Sequence, residues 1–281
     1  MIANSVIKHT IRSMSRTLNI NSNILLRNIV FDLFLEKLSL SSYVNYFIIK
    51  GGFLVSSITN INLRTTMDLD ITLKSLHVEK QNLTRCIKEI LNIKTKDNLI
   101  MELIDIDYIR DDDNYPGLRA SISVFFEGLK EVIKIDFTTG DALTPSETNF
   151  DYKTLIEGKI LNLKSYTIET LLAEKLETIL SRGILNTRMR DFYDVFILSK
   201  LKLREIDLMT LQHAFIKTAS HRKTMNTIQS SEITILNSIE KDQRIQNLWS
   251  RYQMNYPYAK DIEWHLMIEE IKEFVKTISI Q

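Results

Sequence analysis

The sequence is poor in the residues typical of loop-rich and disulfide-bonded proteins. Its 281 residues include only seven glycines, three prolines and one cysteine, Cys86. So little glycine and proline disfavours a loop-rich or all-β fold. A lone cysteine excludes a framework of intramolecular disulfides and fits a reducing compartment. We therefore expect a cytoplasmic protein.

Long apolar runs and an excess of one charge are also missing. No apolar stretch approaches the ~18 residues that span a bilayer, and the first residues lack the uncharged core of a signal peptide, so we expect no membrane partner. The net charge is +1, so a nucleic-acid surface would have to come from local basic clusters. Apolar residues make up 44%, which suits one large or two modest globular domains.

Hydrophobic periodicity predicts strands in the first half of the chain and helices in the second. We expect two helices within residues 1–40 and an amphipathic helix at 79–92. The predicted strands are 47–49, a strand from Asp68, 99–109, 118–126, 130–137 and a short edge strand at 159–163. The later helices are expected at about 205–220, 230–252 and 261–279. This predicts an α+β protein with a mixed sheet flanked by helices over residues 1–160 and an all-helical domain over 161–281.

Two aspartates, Asp68 and Asp70, open one of these strands. Side chains two residues apart on a strand point the same way, and two adjacent carboxylates are stabilised by a divalent cation. They could also be two solvated aspartates at a strand end. On a later strand Asp136 shares a face with Lys134. If the two strands pair, Asp136 supplies the third carboxylate that a two-cation site needs.

A glycine pair precedes these aspartates. Gly51 and Gly52 follow a short apolar strand and begin a helix, and bare backbone N–H groups at a helix start suit a phosphate. Arg64 lies just before the aspartates. It could bind a phosphate tail, or it could pair with an acid in the fold.

Two cations fall on the apolar stripe of a later helix that begins near Ser165 or Thr167. Lys175 and Arg182 follow Ile168 at intervals of seven residues, and cations on a buried face need anionic partners. The partners could be a structural salt bridge or an anionic ligand. Asp191 and Asp194, at the start of the next helix, could each pair with Lys175 or with Arg188.

Basic residues gather at two other places. Arg12 and Arg16 are one turn apart on the first helix, and no acid occurs between Leu208 and Ser231, where basic residues accumulate: His213, Lys217, His221, Arg222 and Lys223. Either cluster could contact RNA phosphates or form a solvated face. The histidines show no metal-ligand spacing.

The assembled pattern resembles a known family. The carrying segments are IIKGGFLVSS, RTTMDLDITL, IKIDFTTGD and ETLLAEKLETILSRGILNTRMRDFYDVF. The glycine pair and three aspartates resemble the metal-site signature of the DNA polymerase β-like nucleotidyltransferase superfamily. With the later cations and acids, the chain resembles the AbiEii/AbiGii toxins of bacterial abortive-infection (type IV toxin–antitoxin) systems, from about Tyr46 to Leu201. Phe53 departs from the superfamily pattern, which has Ser or Thr after the glycine, and Ser56 or Ser57 would have to substitute.

The resemblance implies a cytoplasmic phage-defence toxin that binds a nucleoside triphosphate, with GTP binding attributed to the family, and adds nucleotides to tRNA. It implies Mg²⁺ (or Mn²⁺) on Asp68, Asp70 and Asp136, which are expected to be catalytic together with Lys175 and Asp191. Nucleotide-binding residues are expected to be Gly51, Gly52, Ser56, Arg64, Arg182, Arg188 and Asp194. The partner antitoxin is expected to be a transcriptional repressor that need not touch the toxin.

Two alternatives and one expectation about shape complete the prediction. The acceptor could be a protein hydroxyl instead of RNA, or the chain could bind nucleotide and block growth without chemistry. We expect two lobes, with the three aspartates on one wall of a cleft and Lys175 and Asp191 on the other.

Overall fold

The computed structural model describes residues 4–18, 21–59, 68–75, 79–96, 99–109, 117–126 and 129–278. By its contacts the chain divides into two compact units. The first comprises Met1–Asp141 and Thr148–Ser165, and the second comprises Ala142–Glu147 and Tyr166–Gln281.

The first unit is built on a mixed β-sheet. Its strands are β1 (Phe47–Lys50), β2 (Leu69–Leu73), β3 (Ile100–Ile109), β4 (Gly117–Phe126), β5 (Leu129–Thr139), β6 (Thr148–Lys153) and β7 (Ile160–Ser165). Across the described residues the strand order is β3-β4-β5-β2-β1-β7-β6. β1 runs parallel to β7 and β2 parallel to β5, whereas the other neighbours are antiparallel. The predicted strands are confirmed with small shifts of their ends.

One strand prediction was wrong in its position. The strand at 159–163 was expected at an edge, but β7 pairs with β1 on one side and β6 on the other. The strand at this edge of the described sheet is β6, which the sequence pattern did not reveal. Only Tyr152 of its six residues is buried, because an edge strand leaves most of its side chains in solvent, so apolar alternation is weak.

Four helices in the described part of the chain belong to this unit. They are α1 (Asn4–Leu18), α2 (Ser22–Ser39), α3 (Gly51–Thr59) and α4 (Lys80–Leu91). The apolar period of α2 places Leu25, Ile29 and Leu33 on its buried side, where the helix packs on β5 and β7. Its prediction as a core helix is therefore confirmed.

One buried acid on α2 fastens this helix to the β6 edge. Tyr152 donates a hydrogen bond to Asp32 Oδ1 at 2.5 Å, and the Leu155 N–H donates to Oδ2 at 2.6 Å. Burial raises the pKa of Asp32 to about 7, although both hydrogen bonds act in the opposite direction. A carboxyl whose pKa is higher in the folded chain than in the unfolded chain stabilises the fold at low pH. That contribution is lost as the pH rises from about 4 to about 7.

We expect Asp32→Asn to remove this pH dependence. The amide reproduces the protonated carboxyl. In both, the group at the Oδ1 position donates to the Tyr152 hydroxyl oxygen instead of accepting from it, and the other oxygen still accepts from the Leu155 N–H. The variant should match the wild type in unfolding free energy near pH 4. Near pH 8 it should exceed the wild type by up to about 4 kcal/mol, at about 1.4 kcal/mol per pH unit. Urea unfolding at both pH values measures this, and equal stability at pH 8 would contradict the inferred burial cost.

The second unit consists of helices. They are α5 (Ile168–Arg182), α6 (Met189–Lys202), α7 (Leu208–His221), α8 (Met225–Ile228), α9 (Glu232–Lys241), α10 (Gln243–Asn255) and α11 (Trp264–Ile278). Thr167 caps α5 by accepting a hydrogen bond from the Thr170 N–H at 3.1 Å, as predicted. The single helix expected at 230–252 is two helices, because Asp242 ends α9 and caps α10 through the Ile245 N–H. The α+β class predicted for the chain is confirmed.

None of the described helices combines the length and apolar character needed to cross a membrane.

Candidate active site

Four charged side chains lie in one row across the sheet. Lys50 on β1 is in register with Asp70 on β2, Asp70 with Asp136 on β5, and Asp136 with Arg119 on β4. Residues in register project from the same face of a sheet, so the row reads cation, carboxylate, carboxylate, cation. Asp68 lies one residue before β2. The predicted pairing of the Asp136 strand beside the Asp68 and Asp70 strand is therefore confirmed.

Gly51 gives the Asp70 carboxylate its space. The glycine has a φ of +64°, and a Cβ atom placed on it would lie 2.1 Å from Asp70 Oδ2 and 2.8 Å from its Cγ. Only a residue without a side chain fits so close to the carboxylate at this backbone angle. The turn from β1 into α3 therefore places Asp70 directly beside the backbone of Gly51. The same glycine begins α3, and the first N–H groups of a helix have no partner within the helix.

We expect Gly51→Ala to displace Asp70 and to cost more than the backbone strain alone. The matched control is Gly158→Ala, because Gly158 has a similar φ of +62° but faces only the end of the flexible Lys153 side chain at 3.2 Å. The control should lose about 1 kcal/mol of stability. Gly51→Ala should lose about 1–3 kcal/mol more, as overpacking does, in urea unfolding. Equal losses in the two variants would show that Asp70 moves aside freely.

The residue after the glycine pair packs away from the site. Phe53 is buried, and its ring centroid lies 6.0 Å from that of Phe31 and 5.2 Å from that of Tyr152. This explains why an aromatic residue replaces the expected hydroxyl, since the position contributes to the core. Gly52 and Ser56 lie in α3 and are half-buried. The predicted phosphate ligand Arg64 lies outside the described residues.

A buried network supports the other end of the row. Lys50 donates a hydrogen bond to Asp141 at 2.6 Å, Thr138 donates to the same oxygen at 2.7 Å, and Thr72 also donates to it. Burial raises the pKa of Asp141, but Lys50 and the two hydroxyls outweigh this effect and hold the pKa below its usual range. Asp141 is therefore ionised and fixes Lys50 beside the glycine turn. No role for Asp141 was predicted from the sequence.

Arg119 is the second residue that the sequence did not reveal. Its Nε donates to Asp136 Oδ1 at 2.6 Å and its Nη2 to Oδ2 at 2.7 Å. These hydrogen bonds raise the pKa of Arg119, burial lowers it, and the negative charges of Asp136, Asp68 and Asp70 raise it further. The guanidinium thus lies in the field of all three predicted metal ligands.

A second charged cluster lies in the helical unit. Lys175 on α5 donates to Asp191 at 3.0 Å and pairs with Asp194 at 2.6 Å, both on α6. Arg188 Nε donates to the other oxygen of Asp191 at 2.8 Å. Burial raises the pKa of Asp191, but Lys175 and Arg188 lower it below its usual range. The predicted pairing of these acids with Lys175 and Arg188 is confirmed.

Arg182 does not join this cluster on the buried side of α5. It is exposed in the last turn of the helix, whereas its predicted position was buried, so that prediction was wrong. A straight helix drifts about 20° for every seven residues, and α5 ends at Arg182 before Gly183 turns the chain at a φ of +47°.

The predicted basic clusters have different outcomes. Arg12 and Arg16 are exposed. In the second cluster Arg222 pairs with Glu177 at 2.5 Å and Glu174 at 3.2 Å on α5, so part of its charge is used within the fold. The remaining basic side chains of that cluster are exposed: His213, Lys217, His221 and Lys223.

Among the described residues, one group of three carboxylate or histidine side chains has ligand atoms within 4.8 Å of one another: Glu240, His265 and Glu269. It contains none of the predicted metal ligands. Lys272 donates to Glu240 and to Glu269 at 2.7 Å each, so an ammonium already pairs with both carboxylates of this group. The three aspartates do not gather as tightly, and Asp136 is held by Arg119.

The comparison with a family model decides the identity. The model described as nucleotidyl transferase AbiEii toxin, type IV toxin–antitoxin system, matches residues 33–275. The chain belongs to the AbiEii toxin family. An AbiEii chain is a nucleotidyltransferase of a toxin–antitoxin system, which implies a nucleotide substrate and an antitoxin.

Solved structures give weaker likenesses to this AbiEii chain. JHP933 from Helicobacter pylori is 16% identical with a TM-score of 0.49, covering 92% of this chain and 93% of that one. A putative nucleotidyltransferase from H. pylori has the same identity and TM-score, covering 92% and 96%. An antigenic nucleotidyltransferase-like protein from Paracoccidioides brasiliensis is 15% identical with a TM-score of 0.40, covering 73% and 91%. No curated protein sequence matches.

Proposed function

We propose that this AbiEii chain is a growth-arresting, phage-defence toxin that transfers a nucleotide from a nucleoside triphosphate to RNA, with tRNA as the acceptor and GTP as the first candidate donor. The observation that carries the proposal is the register of Asp70 with Asp136 on parallel strands, beside a glycine turn that fits against Asp70.

The donor set suits a divalent cation. Asp68, Asp70 and Asp136 provide carboxylate oxygens, which Mg²⁺ and Mn²⁺ prefer. Because residue 51 is a glycine, no side chain occupies the space beside the Asp70 carboxylate. These three residues would hold Mg²⁺ or Mn²⁺, which supplies charge stabilisation to the attacking and leaving oxygens of a phosphoryl displacement.

The chain's own groups would bind the triphosphate. The N–H groups of Gly51 and Gly52 begin the nine-residue helix α3, and helix starts bind phosphate. Asp136 would accept the proton of the attacking hydroxyl.

Lys175 would act in the same reaction by neutralising charge that develops on the leaving pyrophosphate. Asp191 fixes the lysine ammonium at 3.0 Å and is itself fixed by Arg188, so the lysine is preorganised. Asp194 holds it from a second side. Arg188 is half-exposed and Arg182 is exposed, so both guanidinium groups are open to an anionic ligand.

RNA is the acceptor that the exposed basic residues favour. Arg12 and Arg16 on α1, and Lys217 and Lys223 around the end of α7, are exposed and can neutralise phosphates. The antitoxin would act as a transcriptional repressor, without a need to contact the toxin.

Incubation of the purified chain with total RNA, Mg²⁺ and each α-labelled triphosphate in turn tests this function. We expect label in the tRNA band with one preferred triphosphate and none when EDTA is added. Label in a protein band would instead support a protein hydroxyl as acceptor. Triphosphate binding with no labelled product would support a toxin that acts by binding alone.

A further inference from the structure

Arg119 hydrogen-bonds both oxygens of Asp136, the second carboxylate of the row and the third of the proposed metal ligands. Two parallel N–H groups meet its two oxygens at 2.6 and 2.7 Å, which is the bidentate geometry of the strongest guanidinium–carboxylate pairs. The two side chains are held in register on neighbouring antiparallel strands, β4 and β5. The pairing is therefore built into the sheet.

The two cations of the row differ in their engagement. Lys50 donates to Asp141, which belongs to the supporting network, whereas Arg119 donates to Asp136, a proposed metal ligand. A cation that approaches Asp136 must therefore compete with Arg119 or share the carboxylate with it. Since like charges repel, the guanidinium also opposes a divalent cation at Asp68 and Asp70.

The exposure of Arg119 and the shape of its guanidinium would let it exchange Asp136 for a phosphate group. Its side chain is 34% exposed, against 15% for Asp136, so the guanidinium lies at the solvent side of the pair. The planar fork that fits a carboxylate also fits a phosphate. A triphosphate on the glycine turn would offer such a group on the same face of the sheet.

We propose that Arg119 is a positioning residue that keeps divalent cations from Asp136 until a triphosphate binds the guanidinium in place of that carboxylate. This inference rests on the proposed function. It adds that metal and nucleotide bind this site cooperatively, because the nucleotide removes the internal cation that competes with the metal.

Titration with Mn²⁺ in the absence of nucleotide, followed by the electron paramagnetic resonance of free Mn²⁺, tests the inference. We expect Arg119→Gln to bind Mn²⁺ about tenfold more tightly than the wild type, the size of one lost charge-assisted competitor. Arg119→Lys should fall between them, because lysine keeps the charge but donates from a single point. Arg27→Gln is the matched control, since it removes a similar ion pair with Glu131 on β5 at 3.0 Å, and it should bind like the wild type.

Adding a non-hydrolysable triphosphate should bring the Mn²⁺ affinities of wild type and Arg119→Gln together. Equal affinities without nucleotide would overturn the inference. The inference would also be overturned if Arg119→Lys bound Mn²⁺ like the wild type while Arg119→Gln bound it more tightly, since the positive charge alone would then explain the effect. If neither wild type nor variant binds Mn²⁺ better than Asp70→Asn does, the metal site of the proposed function fails, and this inference fails with it.

Discussion

Asp70→Asn abolishes nucleotidyl transfer and growth arrest if the row of carboxylates is the reaction centre. Asp70 lies between Asp136 and Lys50 in the sheet register and against the backbone of Gly51. Asparagine keeps the shape of the side chain but removes one negative charge from the proposed cation site. Metal ions contribute several kcal/mol to such transition states, so we expect a loss of about 10³-fold or more in rate.

The rate of label transfer to RNA measures this effect, and growth on induction gives an independent readout. Asp151→Asn is the matched control, because it makes the same substitution on β6 of the same sheet. Asp151 is exposed and accepts a hydrogen bond from Asn162 at the surface. It should keep full activity. Asp70 is half-buried, and we expect both variants to unfold within about 1 kcal/mol of the wild type. A folded, fully active Asp70→Asn variant would remove Asp70 from the mechanism.

The sequence predicted the elements of this site better than their contacts. Alternation in IKIDF and MDLDI indicated which face each aspartate would take, because strand period is a local property. The pairing of β2 with β5 was predicted only as a possibility, since the register between distant strands depends on the whole sheet. The family resemblance indicated that the two segments belong to one site, and the structure gives the register in which they pair.

The residues that the sequence missed are those whose role depends on a partner far along the chain. Arg119 alternates with apolar neighbours like any polar strand residue, and only its position opposite Asp136 gives it a role. Asp141 directly follows Gly140, and nothing in the local sequence indicates that it contacts Lys50, 91 residues earlier. Arg182 shows the opposite error, because a seven-residue spacing was extended to a position where α5 ends.

Variants of Lys175 can distinguish a role in stability from a role in catalysis. Its ammonium pairs with two acids, Asp191 and Asp194, whose side chains are 5% and 0% exposed. Lys175→Met keeps the side-chain volume but leaves both carboxylates in the fold without that ammonium. Breaking one partner out of a buried ion pair costs about 3–5 kcal/mol, so we expect a loss of that size in urea unfolding. We also expect no detectable transfer to RNA, because the proposed neutraliser of pyrophosphate is gone.

A double variant decides which of the two losses accounts for the inactivity. In Lys175→Met with Asp194→Asn, one buried negative charge is removed together with its partner, and Asp191 keeps its contact with Arg188. Replacing both members of a buried pair costs far less than removing one, so most of the stability should return. If Lys175 acts on the nucleotide, the refolded double variant stays inactive. If stability and activity return together, Lys175 serves only to hold α5 and α6 together, and the pyrophosphate charge must be neutralised by another cation.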